Sequence, residues 1–204
     1  MAITVTAPPT RRTVYQYRNS DGTPYCEQVR TDYAPGTGPD GRDKGFTTLP
    51  AGLPGPHPLY RCEHLAALPA TTPVYVVEGE KCVHALEAIG LVAVTSKGGS
   101  KSVHKTDWTP LEKFNHAYLL PDNDEPGRKY AQDVVGILAS LPGQREAIVC
   151  ELPGLPTKGD VYDFLQGHTV EDLLAAIQEH GRPATAPSVK MNDWPEPRPV
   201  LKVL

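Results

Sequence analysis

The feature that most constrains this chain is a change of period at Pro73. Beyond it, short apolar runs alternate with amphipathic stretches. Residues 74–77 read as a strand. Residues 80–89 read as a helix with Cys82, Leu86 and Ile89 on one face and Gly90 as its stop, and residues 91–95 as a second strand. That is a βαβ unit with short connections, which chain handedness makes a right-handed crossover. Residues 117–120 supply a third strand. Residues 127–141 supply a helix carried by Tyr130, Val134, Leu138 and Leu141, closed by Pro142-Gly143, and residues 147–151 a fourth strand. The pattern specifies an α/β fold, Rossmann-like, with a central, mostly parallel sheet.

Two acidic clusters follow strands of this sheet directly. Glu78-Gly79-Glu80 comes after the first, and Asp122-Asn123-Asp124 after the third. Parallel strands deliver both clusters to the carboxyl edge, where open α/β sheets bind ligands. If extended, Asp122 and Asp124 point to the same side. Oxygen donors of this kind suit Mg²⁺ or Mn²⁺, which keep waters and accept substrate phosphates as further ligands. Glu78 can complete the cluster as a metal ligand or as a general base, while Gly79 leaves room for a bulky ligand. Glu80 is read as a first-turn helix residue facing the dipole. A phosphoacceptor receiver domain also gathers carboxylates at a sheet edge, but the Glu-Gly element has no role there.

Before Pro73 the chain has a different character. Residues 14–18 and 25–30 have strand composition and flank the turn sequence Asn19-Ser20-Asp21-Gly22. Residues 42–46 read as a third short strand carrying Lys44. This is a small, basic, β-rich lobe, in which Arg18, Arg30 and Lys44 form a candidate phosphate-facing set and Arg42 reads as solvated surface. Lys97, Lys101 and Lys105 lie in a loop, residues 96–105, that contains Gly98-Gly99 and no carboxylate. Such a loop either contacts phosphate or is a solvated connection, and it lacks P-loop spacing. Trp108 reads as a packing anchor. The domain plan is a lead-in (1–12), the β-rich lobe (13–70), the α/β domain (71–181) and a proline-rich tail (182–204).

The bulk properties narrow the function. Twenty Lys and Arg against 24 Asp and Glu give a net charge of −4, which argues against histone-like wrapping of nucleic acid but permits a local basic groove. No apolar run approaches the roughly 18 residues that a membrane span needs, and the expectation is a cytoplasmic protein. Cys26, Cys62, Cys82 and Cys150 show no C-x-x-C spacing. Cys82 and His84 are two apart on a helix, about 200° around its axis, and cannot close on one ion, so no zinc site is expected.

The segments Val76-Val77-Glu78-Gly79-Glu80-Lys81 and Leu119-Leu120-Pro121-Asp122-Asn123-Asp124-Glu125-Pro126-Gly127-Arg128 resemble the TOPRIM domain, in the form found in phage and plasmid primase-helicases. Lys158-Gly159-Asp160 resembles that branch's third acidic element, with Asp163 close by. Residues 15–44 resemble the basic β lobe that precedes TOPRIM, and Trp194-Pro195-Glu196-Pro197 resembles the linker toward a helicase-like ATPase. The resemblance implies a primase-type nucleotidyltransferase that makes primers on single-stranded DNA from nucleoside triphosphates, by two-metal phosphoryl transfer. Glu78, Asp122 and Asp124 would be catalytic, and these three with Asp160 would hold Mg²⁺ or Mn²⁺. Arg18, Arg30, Lys44, Lys97, Lys101 and Lys105 would hold nucleotide or nucleic-acid phosphates. The chain has neither the metal-spaced cysteines of a primase zinc module nor a P-loop. It is therefore expected to be a piece of a larger primase-helicase or a stand-alone relative. A metal-dependent TOPRIM nuclease and a non-catalytic module that binds single-stranded nucleic acid are the alternatives.

Overall fold

A computed structural model describes residues 8–143 and 145–184. Three antiparallel strands come first, β1 (Arg11–Arg18), β2 (Pro24–Asp32) and β3 (Lys44–Leu49), lying in that order across a sheet. The β1–β2 turn is closed by Asp21, whose Oδ1 accepts from the Thr23 N–H at 2.9 Å and from its hydroxyl at 2.6 Å. Next come β4 (His57–Pro58), α1 (Cys62–Leu65), β5 (Val74–Val76), α2 (Glu80–Ala88), β6 (Val92–Val94), β7 (Thr106–Asp107) and β8 (His116–Leu119). They are followed by α3 (Glu125–Ser140), β9 (Glu146–Val149), α4 (Val161–Phe164), α5 (Val170–His180) and β10 (Arg182–Ala184).

The central sheet has the order β10-β9-β8-β5-β6. β6, β5, β8 and β9 are mutually parallel, and β10 runs antiparallel along the edge of β9. β4 and β7 form a separate parallel pair. Both faces of the central sheet are covered, which explains the unbroken apolar runs of its strands. Tyr75 and Tyr118 stack on one face at 5.3 Å, in a core shared with Leu86 of α2, Phe164 of α4 and Leu173 of α5. Val74, Val76, Ala117 and Leu119 point the other way, against Tyr130, Val134 and Leu138 of α3. The β-rich lobe joins the first of these cores through Tyr15, Tyr17 and Cys26.

Several sequence expectations are corrected at their margins. Arg11 and Arg12 belong to β1, paired with Asp32 and Thr31, rather than to a lead-in. Arg182–Ala184, assigned above to the tail, pair with Val149, Ile148 and Ala147, and Pro183 is tolerated there because β10 is an edge strand. Residues 1–7 of the lead-in and residues 185–204 of the tail, including the linker-like Trp194 segment, lie outside the described residues. Trp108 is buried and its indole N–H donates to the Val103 carbonyl at 2.9 Å, as a packing anchor should. Among the described residues no helix is long and apolar enough to cross a membrane.

Candidate functional site

The ladder of the central sheet carries both acidic segments to one edge. Beyond β5 the Val77 N–H still donates to the Val94 carbonyl, and beyond β8 the Leu120 N–H donates to the Val76 carbonyl. Glu78 and Asp122 therefore leave adjacent parallel strands. Tyr130, fully buried on α3, fixes the strand end next to Glu78: its hydroxyl donates to the Val77 carbonyl at 3.2 Å and accepts from Ser96 Oγ at 3.2 Å. Gly99 lies so close to Glu78 that a Cβ there would stand 3.2 Å from Glu78 Cγ, so the glycine loop packs directly on this carboxylate. Nothing lies within 4 Å of a Cβ placed on Gly79, which leaves the approach to Glu78 open.

Asp124 differs from the sequence expectation of an extended pair with Asp122. The Asp124 N–H donates to the Asp122 carbonyl at 2.8 Å, so the chain turns at Asn123. Asp124 is then the N-cap of α3, its Oδ1 accepting from the Gly127 N–H at 2.8 Å. The helix consequently begins two residues earlier than its apolar period suggests. Asn123 ties this turn to the loop before α4. Its side-chain amide donates to the carbonyls of Leu155 and Pro156, its N–H donates to the Gly159 carbonyl, and its carbonyl accepts from the Lys158 N–H. Those four bonds bring Asp160 beside Asp122.

Asp160 is itself an N-cap. It shares a capping box with Asp163 at the start of α4 and forms a 2.7 Å ion pair with Lys81, whose ammonium also lies 4.3 Å from the centre of the Tyr162 ring. Cys82, Asp122 and Asp160 each offer one ligand atom, and these atoms lie within 4.8 Å of one another. Burial, together with the charges of Glu78, Asp160 and Asp124, pushes the Asp122 carboxyl up to about 7, with Lys81 opposing. Burial, with the neighbouring Asp160 and Asp122, raises the Cys82 thiol well above its ordinary value. So many carboxylates around one countercharge form a site that a divalent cation would relieve: Asp122 and Asp160 supply hard oxygen donors in the ligand-spaced group, and Glu78 stands beside them, its charge acting on Asp122.

A cavity of about 390 Å³ opens over this cluster, lined by Glu78, Asp122 and Asp160 on the sheet side and by Arg30 and Lys44 of the β-rich lobe on the other. Of the six basic residues singled out from sequence, these two line it. Arg18 instead turns back on its own hairpin, donating to the Gly22 carbonyl at 2.9 Å. Lys101 and Lys105 lie in two 3₁₀ turns of the glycine loop, just beyond Lys97, and none of these three lysines lines the cavity. Glu80, expected to be structural, is buried and accepts a 2.7 Å hydrogen bond from Tyr17 Oη. The two members of the Cys82–His84 pair go to different partners, with His84 Nε2 2.7 Å from the Tyr60 hydroxyl.

Sequence reasoning missed Gln28, Phe46, Lys81 and Cys82 as parts of this cavity's wall. For Cys82 the signal was present, because a residue on the first turn of a helix that starts at the carboxyl edge is positioned near that edge. For Gln28 and Phe46 it was absent, because it depends on how the lobe folds over the sheet.

A three-stranded antiparallel lobe on a parallel sheet with an acidic carboxyl edge is the TOPRIM-like fold of DNA primase catalytic cores. The primase fragment of the bacteriophage T7 primase-helicase superposes with a TM-score of 0.59 and 22% identity, over 81% of this chain and 62% of that one. The Escherichia coli primase catalytic core gives 0.57 and 20%, over 84% and 53%. The DnaG primase catalytic domain bound to single-stranded DNA gives 0.58 and 20%, over 84% and 52%. This chain thus spans under two thirds of the T7 fragment and about half of the other two. No family model matches the sequence, and no curated protein matches it.

Proposed function

We propose that this chain is the nucleotidyltransferase core of a DNA primase, making primers on single-stranded DNA from nucleoside triphosphates. The observation that carries the reading is the meeting of Glu78, Asp122 and Asp160 with Arg30 and Lys44 across one cavity, in the fold of primase catalytic cores. Glu78, Asp122 and Asp160 would hold Mg²⁺ or Mn²⁺, which would supply Lewis-acid stabilisation of charge on the reacting phosphate. Arg30 and Lys44 bind the phosphates, and Lys97, Lys101 and Lys105 extend the cationic surface toward the nucleic acid, with salt-sensitive affinity. Glu78, on the open side of Gly79, accepts the proton of the attacking 3′-hydroxyl as the new phosphodiester forms and pyrophosphate leaves. Asp124 contributes through the cap that fixes Asp122 and through its own negative charge beside it.

The likeness to the T7 primase-helicase fragment supports a place in a phage or plasmid replication protein, on a mobile genetic element, working in the cytoplasm with a helicase or ATPase module. Incubation with single-stranded DNA, labelled ribonucleotides or deoxynucleotides, and Mg²⁺ or Mn²⁺ tests the reading. Newly made oligomers that disappear in Asp122→Asn support it. Shortening of the DNA without synthesis identifies a metal-dependent nuclease instead, and DNA binding with neither reaction identifies a non-catalytic module.

A further inference from the structure

Phe46 is 49% exposed, although a phenyl ring contributes to folding only when it is covered. Its exposed face is not turned to the outside of the lobe. Phe46 stands on β3 as the cross-strand partner of Arg30, and Lys44, two residues earlier, shares its face of the sheet. All three line the cavity that ends on Glu78, Asp122 and Asp160. Gln28 of β2 completes this wall. It is buried, and its Oε1 accepts from Thr48 Oγ1 at 2.7 Å.

Arg30 is held in position by Asp32, whose Oδ1 accepts from its Nε at 2.8 Å and pairs with its Nη2 at 2.7 Å, and Lys44 stands on the neighbouring strand. A bare aromatic ring flanked by this positioned guanidinium and a lysine, and facing a carboxylate cluster, is complementary to a molecule with a flat apolar part and a polyanionic part. We infer that Phe46 is the platform on which the base of a bound nucleoside triphosphate stacks, with Arg30 and Lys44 on its phosphates. The cavity, about 390 Å³, is in the range of small-ligand sites, which favours one nucleotide over a length of strand. Stacking on a phenyl face is tolerant of base identity, because every base presents a π-face. Phe46 would thus hold any of the four bases, and Gln28, with its amide at the same wall, is the group placed to read a base edge. The inference rests on the nucleotidyltransferase reading only for the reaction. The binding event stands by itself.

The test is calorimetric titration of the full chain and its variants, in Mg²⁺, with ATP, with inorganic triphosphate, and with a short oligothymidylate. Phe46→Ala is expected to weaken ATP roughly tenfold, the loss expected for one base stacked on a ring. Triphosphate and oligothymidylate should change less than about twofold, and Phe46→Trp should keep or tighten ATP binding. Thermal melting of each variant checks its fold. The inference is overturned by an unchanged ATP affinity in Phe46→Ala, by parallel losses for ATP and triphosphate, by a loss confined to the oligonucleotide, or by a parent chain that binds no ATP. Primer synthesis by a protein with no dependence of ATP binding on Phe46 would sink the inference and leave the functional reading standing. The dependence without synthesis would do the reverse.

Discussion

The hydroxyl of Tyr17 donates a 2.7 Å hydrogen bond to Oε1 of Glu80, joining residues 63 positions apart. Tyr17 is a strand residue of the lobe and Glu80 opens α2, two residues after Glu78, so one bond couples the basic lobe to the acidic edge. Both groups are buried, and burial together with Glu80 raises the Tyr17 hydroxyl well above its ordinary value, keeping it a donor. Tyr17→Phe leaves a buried carboxylate short of a partner, and we expect a loss of about 1–3 kcal/mol in urea unfolding. Glu80→Gln keeps an acceptor for the same hydroxyl and should cost less. Equal losses for the two variants would show that the bond is not what matters.

Gly127 has no side chain for a reason that runs against helix propensity. A Cβ there would stand 2.4 Å from the Asp122 carbonyl oxygen and 2.8 Å from its nitrogen, both backbone atoms. Gly127→Ala within a helix ordinarily gains about 1 kcal/mol. Here we expect a loss of about 1–3 kcal/mol from overpacking, with displacement of Asp122. Thermal melting reads the first, and weakened Mn²⁺ binding by calorimetry reads the second.

The two aspartates of the Asp-x-Asp element should separate by experiment. Asp124→Ala removes a cap and should lower stability by about 1 kcal/mol, whereas Asp124→Ser preserves an acceptor and should recover most of it. Asp122→Asn should leave stability near neutral pH unchanged or raised while removing Mn²⁺ binding. Loss of metal binding without loss of stability in Asp124→Ala would contradict the assignment of its oxygen to the Gly127 amide.

Asp122 also sets a dependence on pH. Its carboxyl is pushed up to about 7 from an ordinary 3.8, so between those values the folded protein holds a proton that the unfolded chain has released. The stability of the metal-free protein therefore falls as pH rises from about 4 to about 7, by an amount on the order of a few kcal/mol. Asp122→Asn should flatten that slope, and Mg²⁺ or Mn²⁺ added at pH 7.5 should restore stability to the native chain. Below about pH 7 metal uptake should release a proton, visible as a buffer-dependent heat in calorimetry. A melting temperature that rises over this range without metal would count against the buried acidic cluster.

The parts of this site legible in the sequence are those that strand ends dictate. Glu78 and Asp122 follow apolar runs buried on both faces, and parallel pairing leaves them one edge to share. Asp124 departs from the extended pairing with Asp122 because an aspartate ahead of a helix has a second use, as its cap. Pro126 and Gly127 in the first turn favour that cap, which takes one of its two carboxylate oxygens. Arg30 and Lys44 were among the residues singled out, but Arg18, of equal standing in composition, lies at the hairpin end and is taken up by its own turn. The pairing of Lys81 with Asp160 joins residues far apart in the chain, and no local pattern encodes it.

The four hydrogen bonds of Asn123 have a practical consequence for anyone recombining such proteins. Because the turn that carries Asp122 and the loop that carries Asp160 are fastened through both the backbone and the side-chain amide of Asn123, they behave as a single cassette. A chimaera that takes one loop from a donor protein and keeps the other from the host would separate the two carboxylates, however well each loop matched by itself. The smallest transplantable unit of this acidic edge is thus two segments that are more than thirty residues apart in the chain and inseparable in space.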